Sequence, residues 1–142
     1  MRLVLRIPFP TPSLNEMANV RSPWTYKTTR ERWKRYVTDA WFEAKVEAGR
    51  GPTLWVRPPG CKVRVTIERF TRTENALDAD NLVGGFKPVL DALKTLALVD
   101  DDAHAAIELV ARQPKNPFRF PMNWTRLTLE RLDTRGENGE AR

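Results

Sequence analysis

The chain has 142 residues, and 24 lysines and arginines against 18 acids give it a net charge of +6. That length fits one domain with one modest core, and a hydrophobic share of 41% excludes wholesale disorder. A single cysteine, Cys61, excludes an internal disulfide framework and a cysteine-type zinc site. No apolar run reaches membrane-spanning length. The opening stretch, broken by Arg6 and Pro8, does not read as a signal peptide, so a cytoplasmic location is expected. The basic excess points to a polyanion, most simply nucleic acid.

Leu3, Leu5 and Ile7 alternate with Arg2, Val4 and Arg6, predicting a first strand that Pro8, Pro10 and Pro12 end. Residues Ser13 to Thr28 lack periodicity and read as a long loop carrying Asn15, Asn19, Arg21, Trp24, Tyr26 and Lys27. Thr28 or Thr29 can cap a helix from Arg30 to about Ala48, with Trp33, Val37, Ala40, Trp41 and Ala44 as its apolar stripe. Arg30, Arg32, Lys34 and Arg35 would then crowd its first turns. That is the wrong sign for the helix dipole, which suggests a role other than helix stability. After a proline-rich connector, Cys61 opens a second strand as a small core residue, and Val63, Val65 and Ile67 form its inner face.

From Asp80 to Leu96 the apolar positions Leu82, Phe86, Val89, Leu90, Leu93 and Leu96 follow helical spacing, with Asp80 as N-cap. Gly84, Gly85 and Pro88 predict a kink, or a short helix that restarts near Pro88. Two further strands are expected around Ile107, Leu109 and Ala111 and around Trp124, Leu127 and Leu129. The expected architecture is α+β: a small mixed sheet with helices packed on it, in the order β-α-β-α-β-β. One domain is expected over 1–132, with a disordered tail over 133–142.

The window from Asp78 to Asp102 carries the chemistry. It holds Asp78, Asp80, Lys87, Asp91 and the run Asp100-Asp101-Asp102 in an otherwise basic chain. Acids packed this densely repel one another unless a divalent cation neutralises them. On an extended strand end Asp78 and Asp80 point the same way and can reach one cation. A third ligand can come from the Asp100 to Asp102 turn. Magnesium takes such oxygen ligands, with water and substrate phosphate completing its shell. On a helix, Asp80, Lys87 and Asp91 share a narrow arc, and Gly84 beside them would admit a phosphate backbone. The plainer readings are that Asp80 only caps a helix, that Asp91 pairs with Lys87 and Lys94, that the triple aspartate is a solvated turn, and that His104 is structural.

In sequence, Asp78-Ala79-Asp80-Asn81-Leu82, then Lys87, then Asp91-Ala92-Leu93, then Asp101-Asp102-Ala103 resembles the RusA-type Holliday junction resolvases of phages and prophages. Ile7-Pro8-Phe9-Pro10 with Ser13 and Asn15 resembles the opening of the same family. The resemblance implies a homodimeric, magnesium-dependent endonuclease, with manganese able to substitute, that cuts four-way junctions in DNA recombination and repair. It implies Asp78, Asp80 and Asp102 as metal ligands and Lys87 as the catalytic lysine. Asp102 is favoured over Asp101 because the family's acid directly precedes the alanine. Two symmetric cuts suit a two-fold dimer. Arg21, Lys27, Arg30, Arg32, Lys34 and Arg35 are then candidates for contacts with the DNA backbone. Two other functions stay open: a branched-DNA-binding protein without catalysis, and a nuclease for flaps or forks.

Overall fold

A computed structural model describes residues 2–14, 23–49, 55, 61–71, 76–100, 107–114 and 123–132. Its elements are β1 (Arg2–Ile7), α1 (Pro23–Ala48), β2 (Lys62–Phe70), α2 (Ala79–Gly84), α3 (Lys87–Thr95), β3 (Ile107–Arg112) and β4 (Trp124–Leu132). The architecture is α+β. A four-stranded mixed sheet runs in the order β1-β4-β2-β3. β4 lies antiparallel to both β1 and β2, whereas β3 runs parallel to β2. The parallel pair needs a crossover, and α2 with α3 supplies it.

Alternation puts Leu3, Leu5, Ile7, Val63, Val65, Ile67, Leu127 and Leu129 on one face, all buried. Trp33, Val37 and Ala40 of α1 and Phe86, Val89, Ala92 and Leu93 around α3 close over that face. Trp55, in the proline-rich connector, is buried as well, and its indole N–H donates to the Leu98 carbonyl at 3.0 Å. Cys61 is half-buried beside the sheet rather than in the core, its thiol near the Lys62 and Leu132 carbonyls.

The long helix begins at Pro23, about two turns before the Arg30 start expected from sequence. Thr28 and Thr29 therefore lie within the helix and cap nothing. Pro23 is the first helical residue, where a missing N–H costs nothing and the fixed φ is already helical. Ser22-Pro23 was the available signal for this start. The correction also removes the dipole argument: Arg30, Arg32, Lys34 and Arg35 lie beyond the first turn, where the dipole has faded.

The acidic window forms two helices. Asp78, not Asp80, is the N-cap of α2. The break falls at Gly85 and Phe86, and α3 restarts at Lys87 with Pro88 in its first turn. α3 ends with the Leu98 N–H on the Leu93 carbonyl (3.0 Å) and the Ala97 N–H on the Lys94 carbonyl (2.9 Å). This is a Schellman closure, and Ala97 takes the left-handed position at φ 58° that glycine usually fills. Among the described residues no helix is long and apolar enough to cross a membrane.

Candidate active site

Asp78 sits in extended backbone (φ −67°, ψ 167°), and its carboxylate accepts from the Asn81 backbone N–H at 2.8 Å and the Asn81 side-chain amide at 3.1 Å. Asp80 follows in the first turn of α2, where the helix dipole favours an anion. Both carboxylates are exposed. The extended strand end expected to align them is absent: a cap and a first turn present them instead.

The start of this helix is tied to the sheet by a residue that sequence reasoning did not single out. Gln113, just beyond β3, accepts from the Leu77 N–H at 2.9 Å and donates to the Leu77 carbonyl at 2.7 Å. An amide side chain clamping one backbone unit through both its atoms fixes position and orientation together. No local pattern could have shown it, because the partners are 36 residues apart.

Gly84 and Gly85 admit the protein's own chain. A Cβ on Gly85 would lie 2.8 Å from the Pro12 carbonyl carbon and closer still to its oxygen, and one on Gly84 would lie 2.8 Å from the Leu14 Cβ. The Pro8–Leu14 segment thus seats on the α2–α3 junction, in the space that sequence analysis had assigned to a phosphate backbone. Arg69 anchors that segment through the Thr11 carbonyl at 2.9 Å, and Thr125 through the Phe9 carbonyl at 2.7 Å.

Lys87 opens α3 and is largely exposed, with its ammonium 3.6 Å from Asp91. Lys94 approaches the same carboxylate oxygen at 3.5 Å. Asp91 is therefore an ion-pair partner. The Tyr26 hydroxyl donates to its other oxygen at 3.4 Å. Burial, and then the charge of Asp91, raise the Tyr26 phenol above its ordinary pKa. Tyr26 belongs to α1, not to a loop.

Between α1 and α3 lies a cleft of about 450 Å³ whose lining includes Tyr26, Arg30, Lys34, Lys87, Asp91 and Lys94. Arg30 and Lys34 thus join Lys87 around one cavity. Lys27, Arg32 and Arg35 line a second groove of about 680 Å³ on α1, to which Lys34 also contributes. Arg21, Asp101, Asp102 and His104 lie outside the described residues, as do Asn15 and Asn19. Asp100 is half-buried at the end of the segment that follows α3.

Among the described residues no group of three or more histidine, cysteine or acidic side chains is assembled to hold a metal. Asp78 and Asp80 still fit a hard cation. They are exposed oxygen donors at one helix start, and a carboxylate that accepts two hydrogen bonds keeps lone pairs for a third partner. No family profile matches this chain, and no curated protein matches it.

Proposed function

We propose that the chain is a magnesium-dependent, structure-selective endonuclease of the RusA type, which resolves four-way DNA junctions by paired symmetric nicks. The observation that carries this reading is the exposed pair Asp78 and Asp80 at one helix start, followed at the next helix start by Lys87 in a cleft with Arg30 and Lys34. In this reading Asp78 and Asp80, with Asp102, hold the cation. When bound, the cation supplies an activated water and charge neutralisation at the scissile phosphate. Asp78 is pre-oriented by Asn81, which lowers the ordering cost of ligation. Lys87 turns from Asp91 toward a phosphate or leaving oxygen as a point charge. Arg30 and Lys34 hold the adjoining backbone and set register rather than sequence. Two copies related by a two-fold axis give the two cuts.

The test uses a labelled four-way junction, a flap, a fork and a linear duplex, each with magnesium or with EDTA, beside Asp80→Asn. The expected result is symmetric nicking of the junction alone, requiring magnesium and lost in the variant, with junction binding retained. Equal cutting of flaps or forks would replace the junction as the substrate.

One observation favours a second reading. Asp78 is already engaged with Asn81 and Lys87 with Asp91, so fold and DNA binding alone account for both contacts. Tight magnesium-independent junction binding without cleavage of any branched substrate would establish that reading.

A further inference from the structure

The cleft between α1 and α3 sets two lysines on one carboxylate. The Lys87 ammonium lies 3.6 Å and the Lys94 ammonium 3.5 Å from the same oxygen of Asp91. The Tyr26 hydroxyl donates to the other oxygen at 3.4 Å. Two ammoniums against one carboxylate leave a surplus of one positive charge. Which lysine carries that surplus decides which one an incoming phosphate meets.

Three observations place the surplus on Lys87. The first is exposure: the side chain of Asp91 is 19% exposed and that of Lys94 25%, against 61% for Lys87. A pair further from water is screened less, so Asp91 and Lys94 hold each other more firmly. The second is order along the helix. An acid that precedes its lysine pairs better than one that follows it, and Asp91 precedes Lys94 but follows Lys87. The third is the dipole of α3. Lys94 stands in the last turn, where a cation is favoured, whereas Lys87 is the first helical residue, where a cation is disfavoured and an anion is favoured.

We propose that Lys94 is a positioning residue: as the standing counter-ion of Asp91, it leaves Lys87 tethered in the cleft with its charge available for a DNA phosphate. Lys94 itself makes no DNA contact. Asp91 fixes where Lys87 rests without cancelling it. Tyr26 holds Asp91 in place from α1, 65 residues away in the chain. Arg30 and Lys34, which line the same cleft, border the phosphate seat.

The proposal rests on the reading of Lys87 as the phosphate-facing cation. Its test reads DNA binding without magnesium, so it fails separately from catalysis. Affinity of the full chain for a fluorescent four-way junction is measured by anisotropy in EDTA across a salt series. The slope of log affinity against log salt counts the phosphates neutralised. Lys87→Gln and Lys94→Gln are each expected to lower that slope by about 1, because each removes the surplus charge. Adding Asp91→Asn separates the two. It restores the slope in Lys94→Gln, where Lys87 regains an uncancelled charge. It does not restore the slope in Lys87→Gln, where Lys94 stays out of reach of the DNA. Lys94→Arg keeps the parent slope. Rescue of both variants by Asp91→Asn would reduce the effect to net charge and overturn the proposal. Rescue of neither would make Lys94 a phosphate contact in its own right and overturn it too, as would an unchanged slope in Lys94→Gln. A parent chain that binds no junction overturns this proposal and the nuclease reading together. The expected pattern of rescue, without cleavage once magnesium is added, upholds the proposal and removes catalysis alone.

Discussion

Replacing Gly85 by alanine tests whether the Pro8–Leu14 segment is clamped on the α2–α3 junction. Gly85 has ordinary helical dihedrals (φ −76°, ψ −6°), so the substitution carries no backbone penalty and by conformational entropy alone would stabilise by about 0.4–1 kcal/mol. The opposing effect is steric. The new Cβ stands 2.8 Å from the Pro12 carbonyl carbon, whereas carbon atoms in contact lie about 3.5–4.0 Å apart. The obstacle is backbone and cannot swing aside, so the segment must retreat by roughly 1 Å or more. Overpacking of this kind costs about 1–3 kcal/mol. The retreat also stretches the anchors from Arg69 to Thr11 and from Thr125 to Phe9, worth about 1 kcal/mol for the neutral bond and more for the charged one. The net expectation is a loss of about 3 kcal/mol, or about 10 °C in melting temperature for a chain of this size. Gly84→Ala is the control. Its new Cβ meets the Leu14 side chain, 2.8 Å from the Leu14 Cβ, rather than a main-chain carbonyl, and helix propensity offsets part of the cost, so it is expected to destabilise less than Gly85→Ala. Thermal unfolding of both variants decides the matter. If Gly85→Ala melts at or above the parent temperature, the segment is not seated as described.

Four further outcomes follow from the same geometry. Asp78→Ala should lose about 1 kcal/mol in urea unfolding through the lost cap, whereas Asp78→Asn keeps the cap and should lose only a few tenths; if Asp78 also ligates the cation, both variants stop magnesium-dependent cutting. Ala97→Gly should stabilise by about 0.5–1 kcal/mol, because glycine adopts the left-handed position without the Cβ penalty, and a lower denaturation midpoint would contradict the Schellman assignment. Glu108 is held below the ordinary glutamate range by its hydrogen bond from Arg64, and the nearby charges of Arg64 and Lys62 act in the same direction. A carboxylate depressed in the folded state adds stability above its unfolded pKa and loses it as pH falls through the native value, so the melting advantage of the parent over Glu108→Gln should be present near neutrality and vanish in acid. Asp80→Asn should keep junction affinity and lose cleavage, as measured by gel shift and nicking on the same preparation.

Much of the fold is local enough to read from the chain. Period-two alternation in Leu3-Leu5-Ile7 and Val63-Val65-Ile67 marks the buried faces of β1 and β2, because a pleated strand sends successive side chains to opposite sides. The Trp33, Val37, Ala40 stripe marks α1, and Gly84-Gly85 with Pro88 marks the break between α2 and α3. The start of α1 was obscured because its first turns carry no apolar stripe, leaving Ser22-Pro23 as the one punctuation mark. At the site, the residue types that suit a hard cation and a phosphate stand in the sequence as Asp78, Asp80 and Lys87. Their setting does not: the cap to Asn81, the Gln113 clamp on Leu77, and the cleft in which Arg30 and Lys34 meet Lys87 join segments far apart in the chain.

The sequence by itself determined which faces of each strand and helix turn inward, since periodicity is a property of neighbouring residues. Only the tertiary structure decided that the last strand, β4, enters the middle of the sheet between β1 and β2. The same long-range pairing set Pro12 against Gly85. Strand order and register depend on how all the buried faces pack together, and no local window of the chain contains that information.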